Sequence, residues 1–169
     1  MSAHLYIAIE GRPRIPSGRW RFMQRMPSPG STREVHGVLG IGDDDSDVSC
    51  LELRGLPPDV ADETLGEDAF FIDDAMAESS ASDCVDSRFC TAAQARAWEA
   101  SGASRILSAE RVTSPDAFGQ SWATAAELER VLPPKARDSA IVDELRRLVE
   151  TMRRLEELDV EVRAIYWFE

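Results

Sequence analysis

Residues 42–49, GDDDSDVS, gather carboxylates at a spacing that calcium loops use. The stretch contains Asp43, Asp44, Asp45 and Asp47. A calcium loop that opens with alternate aspartates also needs a glycine at its sixth position and a bidentate glutamate at its twelfth. Counted from Asp43, those positions hold Val48 and Arg54, and an arginine repels the cation that the glutamate would bind. We therefore interpret the stretch either as a solvated loop or as an acidic surface that faces a partner.

Ser121, in the sequence GQSWA, is the second residue whose setting suggests chemistry. The sequence approximates the G-x-S-x-G turn that exposes the nucleophilic serine of α/β-hydrolases. That turn needs a triad histidine later in the chain, but His4 and His36 both precede Ser121, and Ala123 replaces the last glycine. The same residues suit the entrance of a helix, with Trp122 packed on the core.

Metal-binding residues are few. The two histidines and the three cysteines include no C-x-x-C pair and do not form a zinc motif. We predict no metal and no cofactor. The cysteines are expected to be reduced, partly buried thiols: Cys50, Cys84 and Cys90.

Charge is distributed unevenly along the 169 residues. Residues 1–33 carry a net charge of +5, residues 34–89 carry −14, and the whole chain carries −12. Phosphate binding needs clustered cations, so the overall acidity argues against direct nucleic-acid binding. Exposed carboxylates instead attract a protein partner with a basic surface.

The apolar pattern argues against a membrane protein. No apolar run reaches the roughly 18 residues that a membrane span needs, and the first residues lack the order of a signal peptide. We therefore expect a soluble protein in the cytoplasm.

Periodicity predicts an α+β fold. Residues 4–10 and 19–26 are expected to form an N-terminal hairpin, and residues 160–169 a closing strand. Apolar residues at helical spacing predict a long amphipathic helix over residues 138–158. We expect the hairpin and the closing strand to form a small sheet that this helix covers, together with shorter helices.

Two of the shorter helices have clear starts, at Thr91 and at Thr124, where Glu127 stands at the capping-box position. The acidic segment 34–89 has little periodicity, and loops with single helical turns are expected there. We predict one domain, residues 1–169.

Four sequence segments occur together in a recognisable order: HLYIAIEGRPRIPSGRWRF, LRGLPPDVADE, GQSWATAAELERVL and VRAIYWFE. Together they resemble a family of small uncharacterised proteins encoded by bacteriophages and prophages. The chain departs from that family at Ser2-Ala3, where the family has Cys-Asp, and at Gly119-Gln120, where it has His-Ser. The resemblance implies a phage or prophage origin and an accessory role, and it supplies no activity.

Two functions from different classes follow. The first is a non-enzymatic, acidic accessory protein that binds a host or phage protein, as an anti-defence inhibitor does, with the four aspartates as its binding surface. The alternative is a pocket that binds or hydrolyses a small nucleotide-like ligand. Its residues would be His4, Arg33, Ser121 and Trp122, with Arg33 on a phosphate and Trp122 stacked on a base.

Overall fold

The computed structural model describes residues 4–26, 38–39, 51–66, 69–80, 88–132 and 140–169. The acidic stretch 42–49, Arg33 and His36 lie outside these residues. The chain divides into two compact units, one formed by Met1–Ala61 with Phe118–Glu169 and the other by Asp62–Ala117. The single-domain interpretation stays a prediction.

The fold is α+β, as the sequence predicts. The strands of the described residues are β1 (Leu5–Pro13), β2 (Arg21–Met26), β3 (Phe70–Ile72), β4 (Phe89–Cys90), β5 (Ile106–Ser108), β6 (Arg111–Val112), β7 (Phe118–Ala123) and β8 (Val160–Phe168). The helices are α1 (Asp62–Gly66), α2 (Asp74–Ser80), α3 (Ala92–Ala100), α4 (Ala125–Val131) and α5 (Ala140–Glu156). In this part of the chain, none of the helices combines the length and the apolar content needed to cross a membrane.

The first unit contains an antiparallel sheet with the strand order β2-β1-β8-β7. Strands β1 and β8 pair along their whole length, from Leu5 opposite Phe168 to Pro13 opposite Val160. The predicted pairing of the closing strand with the N-terminal hairpin is therefore confirmed. Both strands are central in this order, and both carry apolar residues on their two faces, which is typical of strands whose two faces are covered.

Helices α4 and α5 bury one face of this sheet. On α5, Leu145, Leu148 and Met152 recur at helical spacing and enter a core shared with Ile9 and Phe168. Helix α4 begins at a capping box, in which Thr124 accepts the backbone N–H of Glu127 and the Glu127 carboxylate accepts that of Thr124. The long helix over the sheet and the capped start of α4 are both as predicted.

The second unit contains a small sheet with the order β4-β3-β6-β5. Its core joins Cys90, Ala95 and Val112 to the partly buried rings of Phe70 and Trp98. The sequence interpretation missed this sheet. Strands of two or three residues are too short to show alternation. Strand β3 therefore lies in a segment where loops are expected, and the β5–β6 hairpin has no periodic signal of its own.

The first testable prediction concerns the shared core. Replacing the fully buried Phe168 with Ala should lower the free energy of unfolding by about 3–5 kcal/mol, because the large cavity cannot fully collapse. Leu158→Ala is the matched control, since its side chain is 72% exposed and its loss should cost no more than about 0.5 kcal/mol. Urea denaturation followed by circular dichroism measures both, and equal losses would contradict the packing.

Candidate functional site

A buried ion pair joins the two central strands of the first unit. Glu10 on β1 lies directly opposite Arg163 on β8, and the two side chains are 0% and 5% exposed. The Arg163 Nε donates to Glu10 Oε2 at 2.9 Å, and its Nη2 lies 2.8 Å from the same oxygen. Charged side chains are rarely buried in this way unless they are paired.

The chain segment 51–61 completes the surroundings of this pair. Asp59 accepts a hydrogen bond from Arg163 Nη1 at 2.8 Å through its carboxylate and one from Nη2 at 3.1 Å through its backbone carbonyl. The backbone N–H of Ala61 donates to Glu10 Oε1 at 2.8 Å. Partial burial opposes ionisation of Asp59, but the hydrogen bond and charge of Arg163, together with a backbone hydrogen bond and one from Trp20, lower the pKa of Asp59.

Trp20 lies against the cations of this region. The guanidinium carbon of Arg163 lies 3.9 Å from the centre of the indole ring, and that of Arg12 lies 4.7 Å from it. Arg12 in turn holds Glu161 through two hydrogen bonds of 2.7 and 3.0 Å.

We call Glu10, Asp59, Arg163 and Trp20 the Arg163 cluster. Its hydrogen bonds link strands β1 and β8 to each other and to segment 51–61.

A second group, the Arg54 cluster, consists of Arg54, Ser121, Trp122 and Glu127. The hydroxyl of the fully buried Ser121 accepts the backbone N–H of Arg54 at 3.0 Å. The Arg54 guanidinium pairs with the Glu127 carboxylate and lies 4.9 Å from the centre of the Trp122 ring. Arg54 stands where a calcium loop would have its glutamate, and here it is the cation of an ion pair.

Electrostatics in the Arg54 cluster follow from these contacts. The hydrogen bond from Arg54 is the largest influence on Glu127 and, with those from Thr124, lowers the pKa of Glu127 to about 2 despite partial burial. Burial raises the pKa of the neighbouring Tyr166, and its hydrogen bond with Ser121 opposes the rise. Ser121 therefore holds the backbone amide of Arg54 in place.

Segment 51–61 contacts both faces of the sheet. Leu51 packs in the core under α5, whereas Ala61 reaches Glu10 on the opposite face. Between them, Arg54 bonds Ser121 on one face of β7 and stacks on Trp122 on the other. The two clusters therefore fix the path of one segment around the sheet.

The residues of the alternative ligand pocket do not share one face. Ser121 lies opposite Tyr166 on the core face, while Trp122 lies opposite Ile165 on the other. His4 is exposed and exchanges backbone hydrogen bonds with Glu169. His4 and Ser121 are separated by two strand spacings across the sheet and three residues along it, a distance of about 14 Å. Arg33 lies outside the described residues, as do the four aspartates, so the pocket and the acidic surface stay predictions.

Metal ligands are not grouped in the described residues, where no three His, Cys, Asp or Glu side chains come together in a way that could hold an ion. Cys90, in the second unit, is a buried free thiol. Burial and the nearby charge of Asp74 raise the pKa of that thiol.

Comparison of the chain with protein-family models, curated proteins and solved structures finds no match. The resemblance to phage-encoded proteins stays a prediction. The four segments that carry it nevertheless meet in the structure, because the Arg163 cluster joins the first, second and fourth, and the Arg54 cluster joins the second and third.

Sequence reasoning missed the roles of Glu10, Arg163 and Arg54. A signal was present for the first two, since each is a charged residue within a largely apolar strand, and such residues need an opposite charge nearby if they are buried. Nothing local pointed to Arg54, whose partners lie about seventy residues away.

The second prediction concerns pH. Because the pKa of Glu127 in the folded chain lies below its ordinary value of 4.5, its stabilisation is present above about pH 4.5 and is lost as the pH falls towards about 2. Glu127→Gln should therefore cost about 1–2 kcal/mol at neutral pH, and the difference from the parent should vanish at the acid end of that range.

Glu129→Gln is the matched control on the same helix. Glu129 also pairs with an arginine, Arg153, but its side chain is 49% exposed and solvent weakens the pair to about 0.5 kcal/mol. Urea denaturation across the pH range measures all three proteins. A constant difference between parent and Glu127→Gln down to about pH 2 would contradict the assignment.

Proposed function

We propose that this chain is a small acidic accessory protein of a phage or mobile element that acts by binding a host or phage protein. Inhibition of a defence protein is one form of that activity. The observation that carries the proposal is the separation of charge, with −14 in residues 34–89 against +5 in residues 1–33. Such a field steers a partner of opposite charge and discriminates against others.

The internal contacts of the first unit support a binding role. Its buried polar groups, Glu10, Arg163 and Ser121, each bond to strands or to segment 51–61 and thereby stabilise the fold. The lowered pKa of Glu127 has a structural cause of the same kind. These three buried groups are thus explained by folding, whereas the acidic sequence of residues 42–49 is not.

The partner of the acidic surface is a protein with a basic face. Four carboxylates in residues 43–47 repel one another, so their proximity has no benefit for folding. An ionic partner relieves this repulsion, and a protein that normally binds nucleic acid presents a suitable surface.

The experiment compares the parent with a variant in which Asp43, Asp44, Asp45 and Asp47 are all replaced by Asn. A partner is first captured from host lysate at low and high salt, and association rates are then measured with purified proteins. The variant should associate several-fold more slowly at about 0.1 M salt and nearly normally at about 1 M, because screening shortens from about 10 Å to about 3 Å. Its melting temperature should be unchanged or slightly higher.

The matched control removes the same charge elsewhere. Glu110, Asp116, Glu150 and Glu157 are exposed, and their amide variants should leave the association rate within about twofold. Equal low-salt rates for the parent and the Asp variant would contradict the proposal. A melting shift with nucleotides, lost in Trp122→Ala, would instead favour the alternative pocket.

A further inference from the structure

The N-terminal hairpin carries a second surface of opposite charge, which we call the hairpin surface. Arg14, Arg19 and Arg21 are its exposed cations, and the Arg14 side chain is 54% exposed. Two exposed apolar side chains lie among them, Ile15 at 59% and Met23 at 44%. Arginine and methionine are enriched in protein interfaces, and exposed apolar groups beside them favour burial against a partner.

The arginines of this surface differ from others in the first unit in their contacts. Arg12 pairs with Glu161, and Arg163 pairs with Glu10. Arg19 and Arg21 form no ion pair with any residue that the structure describes, and Arg14 reaches Asp159 only at 3.9 Å. In a chain with a net charge of −12, these cations remain available to an external carboxylate.

The hairpin loop is fixed in shape before any partner binds. Ile15 donates to the carbonyl of Pro13 at 2.8 Å, and Gly18 donates to that of Ile15 at 2.9 Å. A Cβ at Gly18 would lie 2.3 Å from the carbonyl oxygen of Pro13, so glycine is required by the close approach. A surface held in place loses little entropy when it binds.

Strand β2 stands at one end of the sheet formed by the described residues. A strand in that position has backbone N–H and C=O groups on its outer side, which an extended peptide can pair with. Arg19 precedes this strand and Arg21 is its first residue. Both favour a negatively charged peptide, because opposite charges across neighbouring strands attract.

We propose that the hairpin surface binds an acidic, extended segment of a partner polypeptide, which adds as a strand beside β2. This surface consists of other residues than the acidic stretch 42–49 and has the opposite preference for charge. A second copy of the chain docked through β2 would place its arginines against those of the first, and like charges disfavour that arrangement. Nucleic acid is disfavoured by the net charge of −12.

The test uses fluorescence anisotropy with labelled peptides of about six residues, the usual length of a strand. One probe alternates glutamate and valine, a second alternates lysine and valine, and a third is the glutamate peptide with a central proline. The parent should bind the glutamate probe at least about tenfold more tightly than the lysine probe. The proline probe should also bind more weakly, since proline cannot donate to the strand ladder.

Variants of the protein test whether the glutamate probe binds at the hairpin. Arg19→Glu with Arg21→Glu should weaken binding of the glutamate probe by about tenfold or more, and the Arg→Gln pair should weaken it less. The matched control reverses two exposed arginines elsewhere, Arg130→Glu with Arg147→Glu, and should change the affinity by less than about threefold. Melting curves verify that each variant is folded.

Three results would overturn the proposal. The hairpin variant and the control could weaken binding equally, which would make the effect one of net charge. An oligouridylate of matched charge could bind more tightly than the glutamate probe. Sedimentation could show that the parent self-associates and that the hairpin variant does not, which would make a second copy of the chain the occupant.

Discussion

The architecture of the first unit depends on the need to pair two buried charges. Glu10 and Arg163 occupy directly opposite positions on the central strands, where water is excluded, and a lone charge there would be strongly destabilising. Their remaining hydrogen-bonding capacity is met by Asp59 and by the backbone of Ala61. The pair therefore fixes the register of β1 on β8 and brings segment 51–61 to the same face.

The Arg54 cluster holds the same segment at the edge of the sheet through a partly exposed ion pair. The backbone N–H of Arg54 donates to Ser121, and its guanidinium pairs with Glu127 and stacks on the Trp122 ring. The serine and tryptophan that suggested a reactive site are thus engaged in holding segment 51–61 against β7. This arrangement connects the four sequence segments, and the binding function is proposed for the acidic stretch 42–49 and for the hairpin surface.

Local signals in the sequence predicted local structure well. The spacing of Leu145, Leu148 and Met152 predicted α5, and Thr124 with Glu127 predicted the start of α4, because both depend on residues three or four positions apart. The second sheet was missed because its strands are too short for periodicity. The Glu10–Arg163 pair was missed because its members are 153 positions apart, and strand register across that distance is a tertiary property.

A double-mutant cycle on Glu10 and Arg163 measures how strongly the two buried charges depend on each other. Glu10→Gln, Arg163→Met and the double variant would be compared with the parent by urea denaturation. We expect Arg163→Met to lower the free energy of unfolding by about 3–5 kcal/mol, since it leaves Glu10 buried without its cation, and the added Glu10→Gln to recover about 2 kcal/mol or more. Losses that add to within about 0.5 kcal/mol would contradict the claim that this pair organises the unit.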